Sequence, residues 1–368
     1  MSRVEAFRDG AQALNIPWVD SPFFERQLAA SDASEEYKRL AREFRRDGFA
    51  VVEGLFSEDL IDGIVADYER LFDPKARFQR LERKPTILTH DPSRRQDAWT
   101  VSDPVKQLAC DDKVLDLLRF LYGRAPIPFQ TLNFLPGTQQ GVHSDELHFS
   151  TLPRGFMCGV WVALEDVTLD NGPLLYYPGS HRVSGIRLHE LGVTSASGQL
   201  ADSEQNDLYM DYLQALIAEH GLEERVLTVP KGTALIWSSA LLHGGKAIRD
   251  PNSTRRSQVT HYYFEDCIYY APILSNACLG EYRLKPVFDI RTNELCVHSL
   301  NGEVLDPIVM RDGRVRFGRK GSFPRTWPLW IWQQRATQRL ERFARKRGWD
   351  RFANTIVRLG HERWLENG

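Results

Sequence analysis

Two side chains that can bind a metal ion stand two positions apart in the segment HSDELHF, namely His143 and Asp145. The surrounding stretch GVHSDELHFS is predicted to be a β-strand, and residues two apart on a strand point to the same face. We therefore expect these two side chains to share one ion. A third ligand must come from elsewhere, and His243 is a candidate at the end of a second predicted strand, TALIWSSALLHGG.

Two histidines and one aspartate favour some metal ions over others. Two imidazoles and one carboxylate on one face of an octahedral ion leave the other positions open, as in non-haem Fe(II) oxygenases. Structural zinc sites usually have four tetrahedral ligands, and an all-oxygen magnesium site would not select two histidines. His148 would lie on the opposite strand face from His143, so we do not expect it to be a ligand.

The predicted secondary structure around these residues changes along the chain from helices to short β-strands. Residues 127–265 contain short segments of strand pattern separated by turns such as LDNGP and PKG, which is typical of a sandwich or jelly roll. Helical periodicity precedes them in residues 34–48 and 57–72, with the predicted strand FAVVEGLF between, and in a run from 103 that ends at Gly123. One helical insertion, about residues 195–222, interrupts the β region.

Composition limits the classes of protein that fit. The chain has 368 residues, of which 42% are hydrophobic and 26% charged, and a net charge of −2, so we expect one domain, 1–368, and no nucleic-acid partner. We divide it into N-terminal elements (1–125), a β core (126–265) and an extension (266–368) with hairpins and a basic, aromatic helical tail. Five scattered cysteines lack zinc-ligand spacing. Because we find neither a signal peptide nor an apolar span, we predict a cytoplasmic protein.

Three segments together resemble the phytanoyl-CoA dioxygenase family of 2-oxoglutarate oxygenases: HSDELHF, WVALEDVTLDNGPLLYYPGSHR, and LLHGG with a following arginine. The resemblance spans roughly residues 45–265. It implies a mainly β protein with flanking helices around a double-stranded β-helix, a jelly roll of cupin type. It also implies Fe(II), 2-oxoglutarate and O2 as cofactor and cosubstrates, with His143, Asp145 and His243 as the iron ligands.

The resemblance further implies an arginine that binds the far carboxylate of 2-oxoglutarate. Arg255 and Arg256 both stand at a suitable distance after His243, and adjacent strand residues face opposite sides. We favour Arg255, whose strand face would carry Val259 and Tyr263 and is the more apolar one, with Arg256 as the alternative. Further candidates for contact with 2-oxoglutarate are Trp161, Gln130 and Asn133, on strands that flank the predicted pocket.

The implied reaction is hydroxylation of an aliphatic C–H bond in a small molecule, in specialised or cell-surface metabolite biosynthesis, with release of succinate and CO2. Desaturation, epoxidation or ring formation are alternatives at the same centre. The carboxylate of Asp145 favours oxygenation over halogenation, because related halogenases have a small residue there. Two other hypotheses are a non-catalytic ligand-binding barrel, and a membrane-surface enzyme whose tail, residues 326–366, contacts lipid and whose substrate is lipid-linked.

Overall fold

A computed structural model describes residues 3–10, 14–76, 93–185, 188–192, 203–305, 308–309, 315–316 and 347. The chain divides into two compact units, Met1–Arg316 and Phe317–Gly368, and the single domain, 1–368, stays a prediction. The predicted helical tail, 326–366, lies outside the described residues. Among the described helices, none combines the length and apolar content needed to cross a bilayer.

The first unit contains both α-helices and β-strands. The α-helices are α1 (Arg3–Arg8), α2 (Phe24–Ala30), α3 (Glu35–Asp47), α4 (Glu58–Phe72), α5 (Asp103–Ala109), α6 (Asp112–Tyr122) and α7 (Ser203–Glu219). The strands are β1 (Phe49–Val52), β2 (Arg94–Gln96), β3 (Pro126–Phe134), β4 (Ser150–Leu152), β5 (Met157–Ala163), β6 (Leu174–Tyr176), β7 (Arg225–Val226), β8 (Ala234–Ser238), β9 (His243–Gly245), β10 (Ser257–Phe264), β11 (Ile268–Tyr270), β12 (Phe288–Asp289), β13 (Glu294–Leu295), β14 (Ser299–Leu300), β15 (Glu303–Val304), β16 (Ile308–Val309) and β17 (Val315–Arg316).

Two antiparallel sheets form the β core. Among the described residues, the larger sheet has six strands in the order β1-β8-β5-β10-β3-β2, and the smaller has three in the order β7-β6-β9. A further pair of strands is β11 with β4, and β4 begins five residues after Asp145 in the sequence. This arrangement is the predicted jelly roll with flanking helices.

Alternating side chains of the larger sheet enter two separate cores. Val160 and Ile236 pack against the helices α3 to α6, whereas Trp161, Leu235 and Val259 point between the two sheets. The strands are nearly continuous in apolar residues because both faces of the sheet are covered. The space between the sheets is therefore the interior of the barrel, and a residue's parity on its strand decides whether it faces that interior.

The N-terminal helices begin where their capping residues predict. Ser34 and Ser57 cap α3 and α4, each through a side-chain oxygen that accepts a backbone N–H. The predicted single helix from 103 to 123 is two helices, because the Asp111 carboxylate accepts the N–H of Lys113 and begins α6. The second helix ends at Gly123, in the left-handed conformation with φ of 71°.

The extension after residue 265 carries hairpins, as predicted. Strands β12 and β13 pair with each other, and so do β14 with β15 and β16 with β17. The helical insertion is present as α7, Ser203–Glu219, which lies within the predicted range of about 195–222.

Candidate metal and 2-oxoglutarate site

The two predicted histidine ligands are brought together by backbone pairing. His143 and His243 exchange backbone hydrogen bonds of 2.9 and 3.0 Å, so that residue 143 extends the smaller sheet beside β9. Their ring centroids are 4.4 Å apart. Gly244 permits this approach, because a β-carbon there would lie 2.8 Å from the Gln140 carbonyl oxygen. The glycines after His243 therefore allow the His143 segment to pack against β9.

Asp145 reaches the same point from a turn instead of a strand, which corrects our prediction. It begins a short 3-10 helix, Asp145–Leu147, with Ser144 as the N-cap. The Ser144 hydroxyl accepts the N–H of Glu146 at 3.3 Å and donates to the Ser239 carbonyl at 2.9 Å. A serine before Asp-Glu favours such a helical turn, so the pair His143 and Asp145 converges without strand alternation.

The three ligand atoms lie within 4.8 Å of one another. Asp145 Oδ1 is 3.9 Å from His143 Nε2, and its Oδ2 is 3.9 Å from His243 Nε2. These separations leave room for one cation between two imidazole nitrogens and a carboxylate. The donor set fits a non-haem iron site with open positions.

Hydrogen bonds fix which nitrogen each imidazole offers. His143 Nδ1 lies 2.9 Å from the Gly141 carbonyl oxygen, and His243 Nδ1 lies 3.0 Å from that of Leu241. A carbonyl only accepts, so each Nδ1 carries the proton and donates. Both Nε2 atoms then present lone pairs toward Asp145, as metal ligation requires.

The electrostatics keep the carboxylate charged and the imidazole neutral. Burial would raise the pKa of Asp145, but His243, His261, His143 and the Trp237 N–H together lower it to about 2. Burial, with the neighbouring His243, lowers the pKa of His143 to about 4. Near neutral pH, Asp145 and His143 are therefore in the protonation states that bind a metal.

Of the two arginines, Arg255 faces the interior. It is fully buried, and among the described residues its Nε and Nη1 have no hydrogen-bond partner. Its guanidinium carbon is 5.7 Å from the centroid of the Trp161 ring. Arg256 points the other way and pairs with Glu165 at 3.1 Å. Arg256 Nε also has no partner among the described residues, but of the two arginines it is Arg255 whose unpaired donors lie beside Trp161 in the interior of the barrel.

The three other candidates divide by strand parity. Trp161 is buried in the interior beside Arg255, and Gln130 also faces inward, opposite His261 across β3 and β10. Asn133 does not face the pocket, which contradicts our prediction. Its amide donates to Gln258 Oε1 at 3.3 Å, on the side covered by α5, because residue 133 has the opposite parity from residue 130.

Two residues at the site were missed in the sequence. The indole N–H of Trp237 donates to Asp145 Oδ2 at 2.8 Å, and His261 Nε2 lies 3.8 Å from the same oxygen. His261 Nδ1 lies 2.9 Å from Gln130 Oε1. His261 had a signal in the sequence, since it stands six positions after Arg255 and so shares its strand parity. Trp237 had none, because its contact spans the two halves of the barrel.

Helix α7 packs on the outer side of the ligand segments. Tyr209 and Leu213 form a buried cluster with Leu147, which follows Asp145, and with Leu242, which precedes His243. The helix thus stabilises both segments that carry the triad and acts as a buttress.

The family of the chain follows from comparison with known sequences. The profile of the phytanoyl-CoA dioxygenase (PhyH) family matches residues 44–257, more than half of the chain. The chain belongs to the phytanoyl-CoA dioxygenase family. This family consists of 2-oxoglutarate-dependent oxygenases, and the enzyme class predicted from the sequence motifs is confirmed.

Individual members of the phytanoyl-CoA dioxygenase family show how far the similarity extends. Ectoine dioxygenase of Sphingopyxis alaskensis is 30% identical over 221 residues, which are 56% of this chain and 69% of that protein. Phytanoyl-CoA dioxygenase domain-containing protein 1 of Rattus norvegicus is 34% identical over 101 residues, 26% of this chain and 34% of that protein.

Solved structures of similar proteins include EctD from S. alaskensis with 2-oxoglutarate and 5-hydroxyectoine. It is 25% identical with a TM-score of 0.49, over 72% of this chain and 87% of that one. The epimerase SnoN in complex with Fe3+, alpha ketoglutarate and nogalamycin RO is 20% identical with a TM-score of 0.48, over 78% of this chain and 98% of that one.

Proposed function

We propose that this chain is an Fe(II)- and 2-oxoglutarate-dependent dioxygenase that hydroxylates an aliphatic C–H bond of a small molecule in specialised or cell-surface metabolite biosynthesis. The observation that carries the proposal is the convergence of His143, Asp145 and His243, whose ligand atoms lie within 4.8 Å of one another. The buried guanidinium of Arg255, with its unpaired donors, supports the proposal that 2-oxoglutarate is the cosubstrate. The balanced reaction converts the substrate, O2 and 2-oxoglutarate into the hydroxylated product, succinate and CO2.

His143, Asp145 and His243 would hold the iron, which supplies O2 activation coupled to oxidative decarboxylation of 2-oxoglutarate. The carbonyl oxygens of Gly141 and Leu241 accept hydrogen bonds from the two Nδ1 atoms and so aim both Nε2 atoms at the metal position. These contacts position the ligands before any ion arrives.

Arg255 would bind the far carboxylate of 2-oxoglutarate and so orient the cosubstrate. A guanidinium suits this role because its planar fork pairs with a carboxylate through two hydrogen bonds. Trp161, Leu235 and Val259 surround this end of the interior and exclude water. In that low-dielectric environment the ion pair is stronger than it would be at the surface.

The proposal is tested by anaerobic addition of Fe(II) and 2-oxoglutarate, followed by O2. We expect a weak visible charge-transfer band before O2 and formation of succinate after it, and neither in Asp145→Ala. A metal-loaded protein that gives no band and no succinate would favour a non-catalytic ligand-binding barrel.

Hydroxylation itself is tested on a substrate found by its stimulation of succinate formation. We expect a product that carries one added oxygen atom derived from labelled O2. A product that has instead lost two hydrogens would contradict hydroxylation and would leave the oxygenase assignment intact.

The location that we propose is the cytoplasm. Cys110, Cys158, Cys267 and Cys296 carry free thiols, which supports a reducing compartment. Detection of the full-length native protein in a cell fraction outside the cytoplasm would contradict this location.

A further inference from the structure

Lys285 belongs to the extension that follows the family match, which ends at residue 257. In this extension β11 pairs with β4, a strand that begins five residues after Asp145. The backbone N–H of Lys285 donates to the Tyr269 carbonyl of β11 at 3.0 Å. The extension therefore holds Lys285 beside the segment that leads away from the candidate metal site.

The side chain of Lys285 continues toward that site through a chain of contacts. Its ammonium donates to the His148 carbonyl at 3.2 Å and lies 3.9 Å from the centroid of the Phe149 ring. The Phe149 ring is 5.1 Å from that of His261, whose Nε2 is 3.8 Å from Asp145 Oδ2. Two aromatic rings thus separate the ammonium from the metal-binding carboxylate.

The charge of Lys285 is not neutralised by the protein. Among the described residues, no carboxylate lies within ion-pair distance of its ammonium, whereas Arg154 pairs with Glu146, Arg291 with Asp289, and Arg316 with Glu281. The side chain is partly buried, and burial lowers the pKa of Lys285 to about 8.

A cation held partly out of water is unfavourable unless an anion accompanies it. Arg255 is in the same situation at the other end of the site, and under the proposed function its anion is the carboxylate of 2-oxoglutarate. The hydrogen bond to the His148 carbonyl and the face of Phe149 orient the ammonium without neutralising it. The remaining donors of the ammonium can still bind an anionic ligand.

We propose that Lys285 binds an anionic group of the primary substrate, a carboxylate or a phosphate ester, while the apolar part of that substrate lies along Phe149 and His261. The inference rests on the proposed function, since it names the substrate class of the same site. It assigns the extension a role in substrate recognition.

The test uses full-length protein loaded anaerobically with Fe(II) and saturating 2-oxoglutarate. Octanoate, octyl phosphate and the neutral octanamide are titrated by calorimetry into wild type, Lys285→Met and Lys285→Arg. Methionine keeps an unbranched apolar side chain at this position and removes the ammonium. Lys231→Met is the matched control, because Lys231 pairs with Asp62 on the outer surface.

We expect at least one anion to bind about tenfold more tightly than octanamide in wild type, in Lys285→Arg and in the Lys231→Met control. Lys285→Met should lose this preference. The tighter of the two anions identifies the group as carboxylate or phosphate. An equal preference in Lys285→Met, or no preference in wild type, would overturn the inference.

The charge-transfer band of the Fe(II) and 2-oxoglutarate complex is recorded for each variant before titration. A missing band in wild type would contradict the proposed function itself. A normal band in wild type and Lys285→Met, with unchanged anion preference, would contradict only the role of Lys285.

Discussion

Replacing Arg255 by methionine should weaken 2-oxoglutarate binding without destabilising the protein that lacks it. Arg255 is fully buried, and its Nε and Nη1 have no partner among the described residues. Removing one partner of a buried ion pair costs about 3–5 kcal/mol, and solvent does not screen this site. We therefore expect the dissociation constant of 2-oxoglutarate to rise by roughly two to three and a half orders of magnitude.

The stability of the ligand-free protein, in contrast, should not fall in Arg255→Met. Without 2-oxoglutarate the guanidinium is a buried charge that makes no ion pair among the described residues, so Arg255→Met should leave the free energy of unfolding unchanged or raise it, by up to about 4 kcal/mol. Arg256→Met is the matched control. It removes a partly exposed ion pair with Glu165 and should lower stability by only about 0–1 kcal/mol, with 2-oxoglutarate affinity unchanged.

The assays are calorimetric titration of 2-oxoglutarate in the presence of Fe(II), and urea unfolding without ligand. The reasoning would be refuted if Arg256→Met lost 2-oxoglutarate binding while Arg255→Met kept it. It would also be refuted if Arg255→Met destabilised the ligand-free protein by several kcal/mol, since the guanidinium would then have a structural partner.

Trp237→Phe removes the hydrogen bond to Asp145 and should weaken Fe(II) binding about 10- to 100-fold in a metal titration. Trp99→Phe, which removes a similar bond to a carboxylate elsewhere, should leave it unchanged, and equal losses would contradict this positioning role. Burial lowers the pKa of His143 and of His181 to about 4, so unfolding of the metal-free protein takes up protons. Its stability should fall from about pH 6.5 to about pH 4, less steeply in His181→Gln, whereas a flat urea-unfolding profile would argue against neutral buried histidines.

The sequence predicts the fold and the direction of Arg255 because both depend on strand periodicity. The more apolar face of β10 carries Val259 and lies in the interior, as expected. The same periodicity includes His261, which we did not consider. Tyr263 also follows this periodicity: its ring stacks on that of Phe129 with centroids 4.2 Å apart, and Phe129 stacks on His261 at 6.1 Å. The bulge opposite His261 and Tyr262 lies in β3, since β10 keeps a continuous register with β5.

Other features depend on which strands pair and in which register. Asn133 and Gln130 are both on β3, yet only the partner residues on β10 show that residue 133 faces the helices. Trp237 and Asp145 are 92 positions apart, and local pattern contains no sign of their hydrogen bond. The predicted alternation along one strand does not explain why His143 and Asp145 lie together, because a capped turn brings the carboxylate to the imidazole.

An anaerobic crystal structure with Fe(II) and 2-oxoglutarate tests the central claim most directly. We predict anomalous density for iron between His143, Asp145 and His243, and the far carboxylate of 2-oxoglutarate on the guanidinium of Arg255. Iron bound by other side chains, or the far carboxylate on Arg256, would contradict the proposed site.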